Sequence, residues 1–141
     1  MKRVLVLSLL LASLTCWTLP SQAATSGARV LKVTTSVDAA PPGTTVAFMA
    51  YATNLGPGIL DLWVNYEDLR DIDPETLRET CIYEGEANAD DPVCEYDYFP
   101  EGDTLIVKVV AQLAASPHQV ASITFCAYGG NCKTGRIRIT G

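Results

Sequence analysis

The sequence predicts an all-β protein, an antiparallel β-sandwich of about seven strands. Apolar and polar residues alternate with a period of two over several segments, which is typical of strands that bury one face. Turn-forming residues separate these segments about every 8 to 12 residues, and neither helical periodicity nor an internal repeat is recognised. Cysteines in the second half of the chain further predict that the sandwich is stapled by disulfide bonds.

Three strands are predicted in the first half of the chain, over residues 28–37, 44–53 and 59–66. The first strand places Leu31, Val33 and Val37 on one face. Pro41 and Pro42 then predict a bend at a sheet edge, because proline cannot donate to a hydrogen-bonded ladder. The second strand has apolar residues on both faces, which favours a central position in its sheet.

The segment from residue 67 to residue 79 is less regular. Asp73 suits the N-cap of a helix, with Pro74 at the first helical position. We therefore predict a loop that contains a helical turn. A loop that leads into a short strand over residues 77–83 is the alternative.

Four further strands are predicted, over residues 93–99, 104–113, 120–128 and 133–140. The strand over 104–113 has a clear alternation, and its apolar residues share one face: Leu105, Val107, Val109, Ala111 and Leu113. Gly129 and Gly130 form the turn between the last two strands. In the last strand, Ile137 and Ile139 are predicted to face the core.

Two disulfide bonds are predicted. Cys81, Cys94, Cys126 and Cys132 remain once the N-terminal segment with Cys16 is set aside, and an even number of cysteines is typical of disulfides in a small exported chain. Three pairings are open. We favour Cys81–Cys94 and Cys126–Cys132, because each pair brackets a turn-rich loop. In the last hairpin the two cysteines are directly opposed, which puts their Cα atoms about 4.5 Å apart.

The first 23 residues are predicted to be a secretory signal peptide, followed by a single domain over residues 24–141. Lys2 and Arg3 form a basic start, an apolar run over 4–17 follows, and Ala23 ends a group of small residues that suits cleavage. A membrane anchor is the alternative, but spanning a bilayer needs about 20 apolar residues. The mature domain is therefore expected to be secreted or periplasmic and to have no membrane span.

The chain is acidic, with 16 acidic and 10 basic residues, and two of the basic ones lie in the predicted signal peptide. Such a surface repels phosphate backbones, so nucleic acid is not expected as a partner. Between Arg78 and Lys108 there are nine acidic residues and no basic residue. A basic protein partner or a cation is the physical expectation for this region.

Several turn motifs resemble those of a bacterial domain family. Residues 53–57 (TNLGP) match a Thr-Asn-x-Gly-Pro turn, and residues 100–104 (PEGDT) match a Pro-x-Gly-Asp-Thr turn that follows a paired-cysteine hairpin. Over about residues 30 to 140 the chain resembles the bacterial conserved-repeat domain of unknown function and its relative, the cell-adhesion-related domain. The resemblance implies an Ig-like β-sandwich that serves as a spacer or an adhesive module and has no catalytic residues.

An enzyme is not expected. Nucleophilic catalysis needs a nucleophile, a base and an orienting group. The sequence contains one histidine, His118, which lies in a Ser-Pro-His loop. Carboxylates are abundant, but a small sandwich offers little room for the cleft of a glycosidase.

Two sets of residues are candidates for binding. The first set is aromatic, because exposed rings bind sugars or protein partners: Trp63, Tyr83, Tyr96 and Tyr98. The second set consists of carboxylates, the oxygen ligands that calcium prefers: Asp71, Asp73, Glu75, Asp90 and Asp91. No other cofactor is expected.

The favoured hypothesis is a non-catalytic secreted Ig-like module that mediates protein–protein or cell-surface interaction through its acidic region. Two alternatives stay open. One is a small carbohydrate-binding module that uses the aromatic set, and the other is a calcium-dependent structural domain that uses the carboxylates.

Overall fold

The computed structural model describes residues 28–54, 58–83, 86–88, 94–99, 102–115 and 119–141. These residues form ten strands: β1 (Ala28–Thr35), β2 (Ala39–Ala40), β3 (Thr45–Asn54), β4 (Gly58–Arg70), β5 (Ile72–Tyr83), β6 (Glu86–Asn88), β7 (Cys94–Phe99), β8 (Thr104–Leu113), β9 (Val120–Ala127) and β10 (Cys132–Ile139). Eight of the strands have six or more residues, one more than predicted, and β2 and β6 are short.

The strands form two five-stranded sheets. Sheet A has the order β1-β3-β8-β5-β6, and sheet B has the order β2-β10-β9-β4-β7. Neighbouring strands are antiparallel except β2, which runs parallel to β10. The order β1-β3-β8-β5 opposite β10-β9-β4 corresponds to strands A-B-E-D opposite G-F-C of an immunoglobulin sandwich. The predicted fold class, an Ig-like β-sandwich, is therefore confirmed.

The core lies between the sheets and is built from alternate positions of the long strands. In β8 the buried residues are the five that the alternation predicted. β3 lies between β1 and β8 and buries Phe48, so its predicted central position is confirmed. From sheet B, β10 buries Ile137 and Ile139 as predicted. A Cβ at Gly135 would lie 2.8 Å from both Phe48 Cδ1 and Val33 Cγ1, so only glycine fits between β10 and these side chains.

The predicted face of β1 is wrong at Leu31. The register with β3 shifts between Val30 and Lys32, so Leu31 occupies a β-bulge. Leu31 is 43% exposed, whereas Val30 is buried. Alternation along the sequence could not reveal this, because one extra residue moves the side chains that follow to the other face.

The segment predicted as a loop with a helical turn is a strand. β5 begins at Ile72, one residue after Asp71, and pairs with β8 up to Tyr83. The alternative, a strand over 77–83, was correct for the second half of β5. The Asp73-Pro74 pattern is typical of a helix start, but here the β5–β8 register shifts between Asp73 and Arg78. Pro74 lies within this shift, so its missing N–H interrupts no ladder bond.

The proline-rich bend contains a strand that the sequence did not predict. Ala39 and Ala40 form β2, which pairs with Arg138 and Ile139 at the edge of sheet B. Gly43 then closes the turn with a φ of 74°, a conformation that glycine adopts without strain. The bend therefore lies at a sheet edge, as predicted. It leads the chain from β2 of sheet B to β3 of sheet A.

Across the described part of the chain, no helix is long and apolar enough to cross a membrane. The predicted signal peptide and its cleavage site lie outside the described residues, as does His118.

Candidate functional site

Acidic residues are concentrated in one part of the sequence, and 15 of the 16 lie between Asp61 and Asp103. Those whose side chains the structure describes lie on β4 and β5, at the corner between these strands and just before β8: Glu67, Asp68, Asp71, Asp73, Glu75, Glu79 and Asp103. β5 and β6 form one edge of sheet A, and β4 and β7 form one edge of sheet B. The chain passes from β4 to β5 through Asp71 alone, which brings these two edges together. We call this side of the molecule the acidic edge.

The opposite edge of the sandwich is basic. It consists of β1 in sheet A and of β2 and β10 in sheet B. Five exposed basic residues lie on it, and together they define the basic edge: Arg29, Lys32, Lys133, Arg136 and Arg138. Asp38 is the one acidic residue of the sequence that lies outside the segment from Asp61 to Asp103.

Side chains from the last hairpin join the two strands of the basic edge. Asn131 accepts a hydrogen bond from Val30 N at 2.8 Å and donates one to Val30 O at 3.0 Å. Lys133 Nζ donates to Leu31 O at 2.7 Å. Backbone groups at the bulge of β1 are therefore bonded within the molecule, which blocks the addition of a foreign strand there.

Two matching bulges shape the acidic edge. The first spans residues 65–70, where the β4–β9 register moves from Asn65 to Arg70, and the second spans residues 73–78, where the β5–β8 register moves from Asp73 to Arg78. In both, the bulged strand advances five residues while its partner advances two. Each strand thus has the same excess of three residues over its partner, on either side of Asp71.

Each bulge begins with the same side-chain turn. Asn65 Oδ1 accepts a hydrogen bond from Glu67 N at 3.1 Å, and Asp73 Oδ1 accepts one from Glu75 N at 3.0 Å. Both glutamates are exposed. The turns therefore present Glu67 and Glu75 to solvent at equivalent positions of the two bulges.

Each bulge ends with an arginine that binds its own backbone. Arg70 donates to the carbonyl oxygen of Glu67 at 3.2 Å and to that of Leu69 at 3.0 Å. Arg78 donates at equivalent positions, to Glu75 at 3.2 Å and to Leu77 at 2.7 Å. Leu69 and Leu77 pack against the core. The arginines are thus used to hold the bulges in shape.

The two bulges share a short sequence motif. Residues 65–70 read NYEDLR and residues 73–78 read DPETLR, which gives Asn/Asp-x-Glu-x-Leu-Arg twice, eight positions apart. The expectation of no internal repeat is wrong at this small scale. Only four of the six positions match, and the repeat is recognised from the shared hydrogen bonds rather than from the sequence.

Asp71 forms the corner between the bulges. Its φ of 50° lies in the left-handed region, which Asp tolerates better than most residues. Its carbonyl accepts a hydrogen bond from Ala114 N at 2.8 Å. With the amide nitrogen of Gln119 turned toward it, the Asp71 carboxylate accepts hydrogen bonds at 2.6 and 3.1 Å.

A tyrosine–glutamate pair links the first bulge to β5. Tyr66 donates a short hydrogen bond from its hydroxyl to Glu79 Oε1. Burial raises the pKa of Tyr66 to about 12, and the hydrogen bond and the charge of Glu79 add to the rise. Burial also raises the pKa of Glu79, although the hydrogen bond from Tyr66 opposes this. In this pair the phenol donates and the glutamate accepts.

The predicted calcium ligands do not come together in the described part of the chain. Asp71 binds Gln119, and Asp73 binds the backbone of Glu75. Among the described residues, no three carboxylate, histidine or cysteine side chains are grouped as a metal site. Asp90 and Asp91 lie outside the described residues.

The aromatic candidates are separated. Trp63 is 37% exposed on β4, where it pairs with Cys126 of β9. Tyr83 is half-buried, packs against the core and donates to Asp103 Oδ2 at 3.1 Å. In β7, the backbone of Tyr96 pairs with Leu60 of β4. The side chains of Tyr96 and Tyr98 lie outside the described part.

The predicted disulfide of the last hairpin is confirmed. Cys126 and Cys132 are directly paired in the β9–β10 ladder, with their Cα atoms 4.1 Å apart and a bond between their sulfurs. Ala127 N donates to Asn131 O at 3.1 Å, the pairing that the sequence predicted. Cys81 is buried and disulfide-bonded. The Cys94 side chain lies outside the described part, so the Cys81–Cys94 pairing stays a prediction.

No family model matches the chain, and no curated protein matches it either. Among solved structures, AvmM, which catalyzes macrocyclization in alchivemycin A biosynthesis, is 14% identical with a TM-score of 0.43, over 78% of this chain and 88% of its own. Spo0M, a sporulation control protein from Bacillus subtilis, is 14% identical with a TM-score of 0.44, over 82% and 50%. The group B streptococcus pilus 2b backbone protein is 12% identical with a TM-score of 0.41, over 75% and 56%. These likenesses carry no argument about function.

Proposed function

We propose that this chain is a non-catalytic secreted Ig-like module that binds a basic protein partner through its acidic edge. The observation that supports the proposal is the separation of charge between opposite edges of the sandwich. Complementary charge steers association and selects partners, and like charge disfavours the wrong ones. An edge whose described part exposes Glu67, Asp68 and Glu75 therefore suits a basic surface.

The twin bulges supply the described part of this binding surface. They hold Glu67 and Glu75 at equivalent exposed positions, and Asp68 is exposed beside Glu67. Their arginines donate to backbone carbonyls. A spacer or adhesive role, which the family resemblance implies, agrees with binding of this kind. The Cys126–Cys132 disulfide is compatible with an extracellular or periplasmic location.

The proposal is tested by capture from an envelope extract. The immobilised chain is expected to retain a basic protein at about 0.05 M salt and to release it at about 0.5 M, because exposed charges are then screened. The double variant Glu67→Gln/Glu75→Gln should retain at least several-fold less of that protein. Asp38→Asn, on the opposite edge, is the matched control and should behave as the wild type. Capture that is unaffected by the double variant would contradict the proposal.

A second candidate function, carbohydrate binding, is supported by Trp63. Its side chain is 37% exposed and its β4 neighbour Asn65 pairs with Thr124 of β9, so an indole ring lies beside polar groups on one sheet face. Rings placed in this way stack on sugars. A glycan array is the test, and a hit that Trp63→Ala abolishes would favour this candidate over the first.

A further inference from the structure

We infer that the basic partner of the acidic edge is a second copy of this chain, whose basic edge docks on it, so that copies associate head to tail. The inference rests on the proposed function, because it names the partner of the same surface. It follows from the presence of two complementary charged edges on one molecule.

The basic edge is suited to contact through side chains. Arg136 and Arg138 alternate along β10 and are exposed, and Arg29 and Lys32 are exposed on the neighbouring β1. Asn131 and Lys133 already bind the backbone of β1 at Val30 and Leu31. Strand addition is therefore blocked at the bulge, while the arginine side chains are accessible to carboxylates.

The two edges cannot satisfy each other within one molecule. Each sheet has five strands. Glu67 lies on β4, two strands from β10, and Glu75 lies on β5, three strands from β1. At about 4.8 Å between neighbouring strands, these carboxylates lie roughly 10 and 14 Å from the basic edge. Both distances are well beyond the ~4 Å of an ion pair and at or beyond the Debye length of about 10 Å at about 0.1 M salt. Only a second molecule can bring the two edges into contact.

The placement also determines the kind of assembly. Because the contacting surfaces differ, the interface is heterologous, and each added copy leaves a free acidic edge and a free basic edge. An open chain or a ring of several copies is therefore expected rather than a closed two-fold dimer. Two copies also repel each other, because both have a net negative charge. This repulsion acts between charges that are far apart and is screened at about 0.1 M salt, whereas the opposite charges of the two docked edges lie closer together and are screened less.

Sedimentation velocity of the purified secreted chain tests the inference. At about 0.1 M salt, the weight-average sedimentation coefficient should rise between about 10 μM and about 1 mM protein, the range in which weak contacts are measured. At about 1 M salt the rise should disappear, because the Debye length falls to about 3 Å. Association through apolar surface would instead persist at high salt.

Charge-reversal variants identify the edges involved. Arg136→Glu/Arg138→Glu removes the excess of positive charge from the basic edge, since only Arg29, Lys32 and Lys133 then remain against three carboxylates. Glu67→Lys/Glu75→Lys makes the twin bulges basic. Each double variant alone should self-associate at least tenfold more weakly than the wild type. An equimolar mixture of the two should associate again, because each variant then supplies the edge that the other lacks. Lys108→Glu on the central strand β8 is the control and should associate as the wild type does.

A wild-type chain that remains monomeric at about 1 mM and about 0.1 M salt would overturn the inference. So would a mixture of the double variants that fails to associate although both variants melt as the wild type does. If copies do not associate but the chain still captures a basic protein through Glu67 and Glu75, the inference fails and the proposed function stands. Self-association that neither variant weakens overturns the inference as well.

Discussion

The side chain of Asn131 makes two hydrogen bonds to the backbone of Val30, in the way that a neighbouring β-strand would. Its amide both accepts from and donates to Val30, next to the bulge of β1, although the two residues are 101 positions apart. Asn131→Ala is expected to lower the free energy of unfolding by about 1–3 kcal/mol, because both Val30 groups lose their partner in a partly buried place. Urea denaturation measures the change.

Asn131→Asp provides the control for this prediction. The carboxylate can still accept from Val30 N but cannot donate to Val30 O, so an intermediate loss of stability is expected. Equal stability of the wild type and the alanine variant would contradict the role of the Asn131 hydrogen bonds in joining the two sheets. The sequence did not point to Asn131, because asparagine after Gly-Gly is an ordinary turn residue and its partner lies in another strand.

The Tyr66–Glu79 pair is expected to titrate abnormally. The phenol of Tyr66 should ionise near pH 12. The difference in alkaline absorbance between the wild type and Tyr66→Phe, followed as a function of pH, measures this midpoint. In Glu79→Gln the midpoint should move down toward 10, because the charge that opposes ionisation is removed while burial remains. A midpoint unchanged by Glu79→Gln would show that the charge of Glu79 has no effect on the ionisation of the tyrosine.

The same pair affects stability in a defined direction. Because the folded pKa of Tyr66 is raised above its unfolded value, its contribution is complete below pH 10 and is lost as the pH rises toward 12. The pKa of Glu79 is also raised, so its contribution is complete below pH 4.5 and is lost as the carboxyl ionises above that pH. The alkaline loss should be absent in Tyr66→Phe.

The twin bulges form a pair of elements with the same internal bonds, so equivalent substitutions should have equivalent effects. Arg70→Ala and Arg78→Ala are each expected to lower the free energy of unfolding by about 0.5–1 kcal/mol, because each removes two exposed hydrogen bonds to carbonyls. Thermal and urea unfolding of both variants measure the effect.

Lysine should restore part of the lost stability at both positions, since Nη1 alone makes both hydrogen bonds and an ammonium group also carries enough donors. A large loss at one arginine and none at the other would contradict the equivalence of the bulges. Trp63→Phe, which lies next to the first bulge without taking part in its hydrogen bonds, is a suitable control for local repacking.

Elements with regular alternation could be predicted from the sequence, and elements with extra residues could not. β8 keeps a strict period of two, so its bounds and all five buried residues were correct. β5 contains Pro74 and a bulge, which removed the alternation from its first half. The Cys126–Cys132 pair was predictable because a tight turn determines which residues of a hairpin face each other.

At the scale of the molecule, removal of calcium is expected to leave stability unchanged. Two of the predicted ligands, Asp71 and Asp73, already accept hydrogen bonds from the protein. Melting temperatures with calcium and with an excess of chelator should therefore agree within about 1 °C, since a ligand stabilises only the state that binds it. A rise of several degrees with calcium would favour the calcium-dependent structural domain, and Asp90→Asn/Asp91→Asn would then test the remaining candidates.

The acidic character of the chain could be predicted from composition, but its separation into two edges could not. Between Arg78 and Lys108 the sequence already shows the excess of negative charge. The position of Glu67 and Glu75 away from Arg136 and Arg138 depends on the order of strands in both sheets, which long-range pairing determines. The turn motifs predicted the sandwich, and a site built from strand edges became visible only in the folded chain.

The tie between Asn131 and Val30 has a consequence for the order of folding. The first strand of sheet A cannot be closed against sheet B until the chain has been made as far as Lys133. Residues that contact each other over so long a separation fold late, because loop closure must precede their bonds. A chain synthesised from its N-terminus would therefore leave β1 open to proteases until the hairpin of β9 and β10 had formed. That hairpin, rather than the first strands, would then determine when the domain becomes stable.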